Sequence, residues 1–191
     1  RNVEAPLLDL RRKHGERLVI RVSLDHYTAA LHERERGPRS FAATLGGLVW
    51  LSDNGFAVRV AGRTMWDEPM ETLRQGFARL FADRGVAVDA FDPESLVLFP
   101  EMDMRADVPE ITERCWGLLD VDPDGIMCAS SRMVAKRKGA DRPAVLACTL
   151  VAYDPRFEMG TTLAEAARPI RLNHPHCARF CVLGGGSCSR G

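Results

Sequence analysis

RLVIRVSLDHYTAALHERERGPRSFAATLGGLVWLSDNGFAVRV, residues 17–60, decides the fold. It opens on Arg17 to Asp25, whose apolar core Leu18-Val19-Ile20 lacks strict alternation. That pattern predicts a strand buried on both faces, as in a parallel sheet. A polar stretch, His26 to Arg39, closes on Arg36-Gly37-Pro38. Ser40 is placed to cap a helix that carries Phe41, Leu45, Leu48, Val49 and Leu51. Asn54-Gly55 ends that helix, and Phe56 to Ala61 forms the next strand. The pattern then repeats. Glu68 to Asp83 reads as an amphipathic helix with Leu73, Phe77, Leu80 and Phe81 inward, stopped by Arg84-Gly85. Ser95 to Phe99 reads as a third strand, stopped by Pro100. Upstream, residues 5–14 read as a short helix with Leu7, Leu8 and Leu10 near one face. Residues 17–100 therefore read β-α-β-α-β. This is an α/β fold of parallel strands with helical crossovers, in an open sheet or a barrel.

After residue 105 the texture changes. Turn signals multiply at Asp122-Pro123-Asp124-Gly125 and at Lys138-Gly139-Ala140-Asp141-Arg142-Pro143. Ile126 to Val134 and Ala144 to Tyr153 read as strands of a hairpin with a long basic loop. Thr162 to Ala167 reads as a short helix, and a cysteine-rich tail follows. Two parts are expected: 1–105, α/β in order, and 106–191, a small β-hairpin/α module rich in cysteine. No internal repeat and no low-complexity segment is present.

The chain has 191 residues, of which 46% are hydrophobic, enough for a real core. No apolar run reaches the roughly 18–20 residues of a membrane span. Positive and negative residues balance at 26 each, so charge gives no general reason to expect nucleic acid or an anionic membrane as partner. The basic clusters Arg11-Arg12-Lys13 and Lys136-Arg137-Lys138 read as solvated faces or turns. No signal peptide opens the chain, so a reducing cytoplasmic setting is expected. The absence of an initiator Met suggests a piece of a longer protein.

Six cysteines sit at 115, 128, 148, 177, 181 and 188. The last three read Cys177-x3-Cys181-x6-Cys188, with Gly184, Gly185 and Gly186 between the second and third. Thiols clustered in this way bind a metal or an iron–sulfur cluster, or form disulfides. In a reducing compartment metal is favoured. Cys115 and Cys128 flank the Asp-Pro-Asp-Gly turn, which can fold back and bring both sulfurs to one centre. The glycines let backbone N–H groups approach cluster sulfides. Cys148, in an apolar stretch, reads either as a ligand or as an ordinary buried thiol. His174 and His176 keep structural zinc open, since zinc takes four Cys or His ligands; iron–sulfur clusters commonly take four cysteines.

Ser23 and Asp25 share one face at the C-terminal end of their strand, where parallel α/β folds gather their ligand sites. They suit the hydroxyls of a ribose, and Arg36 suits a carboxylate. The plainer alternative is that Asp25 caps a turn and Arg36 is solvated. His14, His26 and His32 read as structural or surface residues, and Trp50, Trp66 and Trp116 as packing residues. Glu101 and Asp103 follow the third strand, and either contact substrate or end the strand in solvent.

The run Arg21 to Val60 resembles the fourth-to-fifth strand region of radical S-adenosylmethionine (radical SAM) enzymes. The shared text is Arg-x-Ser-Leu-Asp, a polar loop ending Arg-Gly, Ser-Phe opening a helix, Leu-x-x-x-Gly, then a strand. The second half resembles a SPASM or twitch extension: Cys115, a glycine-bearing spacer, Cys128, strands, Gly160-Thr161-Thr162-Leu163 opening a helix, then the closing cysteines. The resemblance implies a partial (β/α)6 TIM-like barrel followed by a module for an auxiliary [4Fe-4S] cluster. It implies reductive cleavage of S-adenosylmethionine to a 5′-deoxyadenosyl radical that abstracts hydrogen from a peptide or small-molecule substrate, such as a cofactor precursor. An electron donor such as flavodoxin or ferredoxin is implied as partner. By the same resemblance, Ser23 and Asp25 match polar contacts to S-adenosylmethionine, and Arg36 matches an arginine facing its carboxylate. Cys115 and Cys128 match the opening cluster ligands. Cys177, Cys181 and Cys188 match the closing set, although the usual closing pattern is denser. The defining Cys-x3-Cys-x2-Cys motif is absent, since no cysteine precedes residue 115. The expectation is a fragment that lacks the first strands and the catalytic cluster and does not turn over by itself. The rival expectations are a non-catalytic zinc-binding module on an α/β scaffold and a degenerate barrel that binds S-adenosylmethionine without cleaving it.

Overall fold

The structure is a computed structural model that describes residues 3–105 and 107–184. It divides into two compact units, Arg1–Glu101 and Met102–Gly191.

In the first unit, helix α1 (Glu4–His14) leads through a single 3₁₀ turn into strand β1 (Val19–Ser23). Helices α2 (Ala29–Arg36) and α3 (Ser40–Asp53) follow, then β2 (Ala57–Arg63), α4 (Met70–Arg84) and β3 (Leu96–Phe99). The three strands are parallel and lie in the order β1-β2-β3. The expected alternation is therefore present, with one helix more than expected. The polar stretch 26–39 is no loop, because it contains α2. The sheet is open, and no closed barrel is formed among the described residues.

One hydrophobic cluster unites Leu45, Leu48 and Leu51 of α3, Leu73, Phe77 and Phe81 of α4, and Val58, Val60, Leu96 and Leu98 of the sheet. Both crossover helices thus pack on one face of the sheet. The opposite face carries Val19, Arg21 and Ser23 of β1 and Ala57, Arg59, Ala61 and Arg63 of β2. Val19 is 43% exposed, which corrects the expectation that β1 is buried on both sides. Its run of Leu18, Val19 and Ile20 hid an alternation in which only Leu18, Ile20 and Val22 meet the core.

Local chemistry explains the boundaries. Gly85 takes a left-handed φ of 65° and closes α4. Ser40 does not cap α3 by accepting a backbone N–H. Its hydroxyl instead donates to the Gly37 carbonyl at 2.7 Å, and Arg39 holds the cap position.

In the second unit, the expected long strands are short. Helices α5 (Arg114–Leu119) and α6 (Met127–Ser130) precede an antiparallel sheet of β4 (Met133–Ala135), β5 (Ala144–Leu146) and β6 (Glu158–Gly160). Residues 126–130, read as strand from sequence, are therefore mostly helical, and β5 gives way to a 3₁₀ turn at Thr149–Val151. The basic hairpin loop is present between β4 and β5. Helix α7 (Leu163–Ala166) starts with a capping box in which Thr162 and Glu165 satisfy each other's backbone N–H groups. The chain then forms a π-helical turn, Cys177–Val182. Among the described residues no helix is long and apolar enough to cross a membrane.

Candidate functional site

The cysteines of the second unit come from well-separated places in the chain. Cys128 lies in α6, Cys148 two residues after the end of β5, and Cys177 at the head of the π-helical turn. Cys148 and Cys177 are buried and Cys128 is half-buried. Burial raises all three thiols above their ordinary value, since removal from water disfavours the charged form. The Cys177 thiol is pushed up to about 12 by burial, with Cys148 and then Cys128 adding to it. Cys148 likewise raises Cys128. Cys177 therefore feels the charge of both other thiols, and Cys128 that of Cys148, in a water-poor setting. Cys128 also opens onto a cleft lined by Ile126, Arg132, Pro169 and Leu172, which gives a path from solvent.

Their spacing is looser than ligation requires. Among the described residues no three His, Cys, Asp or Glu side chains are grouped closely enough to hold a metal ion. Both facts stand together, because charge acts over several ångströms while a metal–sulfur bond spans about 2.3 Å. The donor chemistry, thiols in a water-poor setting, is of the kind that iron–sulfur and zinc centres take.

The remaining cysteines differ. Cys115, in α5, is half-buried, and its sulfur accepts the Thr112 N–H at 3.4 Å. Its helix packs against the π-helical turn. Cys181 is half-buried one turn beyond Cys177. Cys188, with Gly185 and Gly186, lies outside the described residues. At Gly184 a β-carbon would press within 2.6 Å of the Arg179 carbonyl oxygen, so this glycine lets the chain fold back on the π-helical turn. The turn itself closes with an i to i+5 bond from the Leu183 N–H to the Ala178 carbonyl.

The two candidate histidine ligands are engaged elsewhere. His176 sets Nδ1 against the Leu150 carbonyl at 3.0 Å and Nε2 against the Met102 carbonyl at 3.2 Å. Buried His174 accepts the His176 N–H on Nδ1 and turns Nε2 toward Asp154 at 3.9 Å. Burial lowers the His174 imidazole below its ordinary value.

In the first unit the C-terminal end of β1 holds the other candidates. Asp25 and Arg36 are together, but they serve each other. The Arg36 fork donates from Nε to Oδ2 at 2.6 Å and from Nη2 to Oδ1 at 3.0 Å. Asp25 is 3% exposed, whereas the Arg36 side chain is 46% exposed. Arg36 thus neutralises an internal carboxylate and does not stand clear for a ligand's. The Asp25 N–H donates to His32 Nδ1 at 3.1 Å, and His32 is fully buried beside Phe41. Ser23 is exposed on the helix-free face. Glu101 and Asp103 are exposed beyond β3.

Sequence reasoning did not anticipate a second buried constellation here. His26 is 1% exposed, stacks on Tyr27 at 4.2 Å and meets the edge of Trp66 at 4.9 Å. Its Nδ1 accepts the Thr28 N–H, which leaves the proton on Nε2 to be donated to Glu68 at 2.9 Å. The Tyr27 hydroxyl donates to the same carboxylate at 2.5 Å. Burial raises the Glu68 carboxyl, but the bonds from Tyr27 and His26 outweigh it and hold the group below its ordinary value. Such a carboxylate stabilises the fold above its unfolded pKa of about 4.5 and loses that contribution as pH falls through the lower folded value. Subtracting the denaturation midpoints of Glu68→Gln from those of the wild type, pH by pH, is expected to leave a difference that shrinks as pH falls below about 4.5. A difference independent of pH would show that the carboxylate is not held by these bonds.

No family model matches the chain, and neither a curated protein nor a solved structure matches it.

Proposed function

We propose that the chain is part of a radical SAM enzyme, with the first unit contributing strands to a partial barrel and the second holding an auxiliary iron–sulfur cluster. What supports this reading is the buried setting of Cys128, Cys148 and Cys177, in which the Cys177 thiol is pushed up by burial and by the charge of Cys148 and Cys128. A buried thiol near 12 remains protonated at neutral pH unless a cation draws off its proton. Such thiols suit a metal centre better than nucleophilic chemistry, which needs an accessible thiolate. The sheet supports the reading as well. Parallel strands in sequential order, with both crossover helices on one face, form the singly wound arrangement from which barrels are built.

In this reading Cys128, Cys148 and Cys177 hold the cluster, with a further ligand from Cys181 or Cys188. The cluster supplies electron transfer or an anchor for substrate. The chain's own part is to keep water from Cys148 and Cys177. The full protein would use S-adenosylmethionine, a catalytic [4Fe-4S] cluster and an electron donor to abstract hydrogen from its substrate.

Anaerobic reconstitution of the chain with iron and sulfide tests this. The expected product is brown, with broad visible absorption, and retains iron through desalting. A colourless protein that instead holds stoichiometric zinc would replace this reading with the zinc-binding alternative. Engagement of both His176 ring nitrogens by carbonyls favours the all-thiol centre.

A further inference from the structure

Arg156, Arg168 and Arg171 of the second unit line one cleft of about 340 Å³. Apart from Asn173, its other lining residues are apolar. Three of them, Ala147, Phe157 and Met159, are buried, so the core of this unit reaches the cleft. No carboxylate lines it. Apolar walls with a few charged groups, at this size, are what small-molecule sites share.

The nearby acids are already engaged. Asp154 takes a fork from Arg156, with Nη2 at 2.6 Å, and Glu158 pairs with Arg137 at 3.0 Å. Arg156 is thereby held in place, with its guanidinium carbon 5.8 Å from the centre of the Phe157 ring. Arg168 reaches only a carbonyl, that of Glu158, at 3.4 Å. Arg171 makes no hydrogen bond or ion pair among the described residues. Both stand on the irregular segment between α7 and the π-helical turn, and both are exposed. Two positive charges are therefore left without a counter-charge beside apolar walls, which focus their field into the cleft. A guanidinium is weakly hydrated, and its fork matches a carboxylate or a phosphate.

We infer that this cleft binds an organic anion with an apolar body. The charged head lies against Arg168 and Arg171, and the body lies on Phe157 and Met159. Carboxylates and phosphates both offer such a head. No cysteine lines the cleft, so the site stands apart from the cluster proposed above.

The test titrates the full ¹⁵N-labelled chain, without iron, with 3-phenylpropionate and separately with phenyl phosphate. It follows the backbone amide signals of Phe157, Met159 and Arg171 by NMR. These signals are expected to shift together and saturate, and the tighter of the two anions identifies the head. 3-Phenylpropan-1-ol keeps the body and loses the charge, and acetate keeps the charge and loses the body. Each is expected to bind at least about tenfold more weakly than 3-phenylpropionate. Arg171→Gln is expected to weaken the tighter anion about tenfold. Arg142→Gln removes an exposed arginine of the same unit outside the cleft, and is expected to change binding by no more than about twofold. No saturable shift with either anion, equal weakening in the two variants, or an alcohol that binds as tightly as the acid would overturn the inference. Because no iron is present, failure here leaves the cluster reading standing, and failure of iron uptake leaves this site standing.

Discussion

Gly76→Ala is expected to destabilise the first unit by about 2–4 kcal/mol, against the rule for helices. In an ordinary helix interior, alanine gains about 1 kcal/mol over glycine. Gly76 lies buried in α4, and a β-carbon there would sit within 2.6 Å of Tyr27 Cζ and closer still to Cε1 and Cδ1. The ring has little room to yield. Its hydroxyl is bound to Glu68 at 2.5 Å, one face is stacked on His26, and Phe77 meets it at 5.9 Å. Overpacking costs about 1–3 kcal/mol, and giving up a hydrogen bond to a charged group costs about 1.5–3 kcal/mol more. Together these exceed the gain in helix propensity. Urea denaturation of Gly76→Ala and of the Tyr27→Ala, Gly76→Ala double variant decides the matter. With the ring removed, the same alanine should stabilise relative to Tyr27→Ala alone. A single variant more stable than wild type would show that Tyr27 does not pack on α4.

Arg36→Ala is the second large effect, at about 2–4 kcal/mol. Removing one member of a buried pair strands the other's charge. The two members are unequal: Asp25 is 3% exposed, while nearly half of the Arg36 side chain meets solvent. Solvation of the guanidinium keeps the value below that of a fully buried pair. The same inequality predicts an order. Asp25→Asn leaves an arginine that water can solvate, so it should cost less than Arg36→Ala. Arg36→Lys should recover only part of the loss, since an ammonium cannot reproduce the two bonds at 2.6 and 3.0 Å. Equal losses below about 0.5 kcal/mol in all three variants would place the pair among ordinary surface contacts.

The fold was most legible where burial and period agree. Leu45, Leu48 and Leu51, and Leu73, Phe77 and Phe81, repeat at helical spacing because one stripe of each helix meets the sheet. Helix α2 was not legible. Ala29–Arg36 offers Leu31 and then polar side chains, and its inward anchor is His32, which sequence alone does not mark as buried. The second unit's strands were overread because apolar residues at 126–130 and 149–151 pack in short helical turns. At the sites, residue types were legible and pairings were not. Asp25 and Arg36 both stood out as ligand contacts, yet eleven positions of chain fold so that they meet each other. Cys148 read as ligand or core alike, since only the fold brings Cys128 and Cys177 within range of its charge.

Iron and acid-labile sulfide per chain, measured after anaerobic reconstitution of single cysteine variants, test the central claim most directly. Cys128→Ala, Cys148→Ala and Cys177→Ala should each lose most of the iron held by the wild type, while Cys115→Ala, whose sulfur is tied to Thr112, should retain it. Iron undiminished in the Cys128, Cys148 and Cys177 variants would contradict the account.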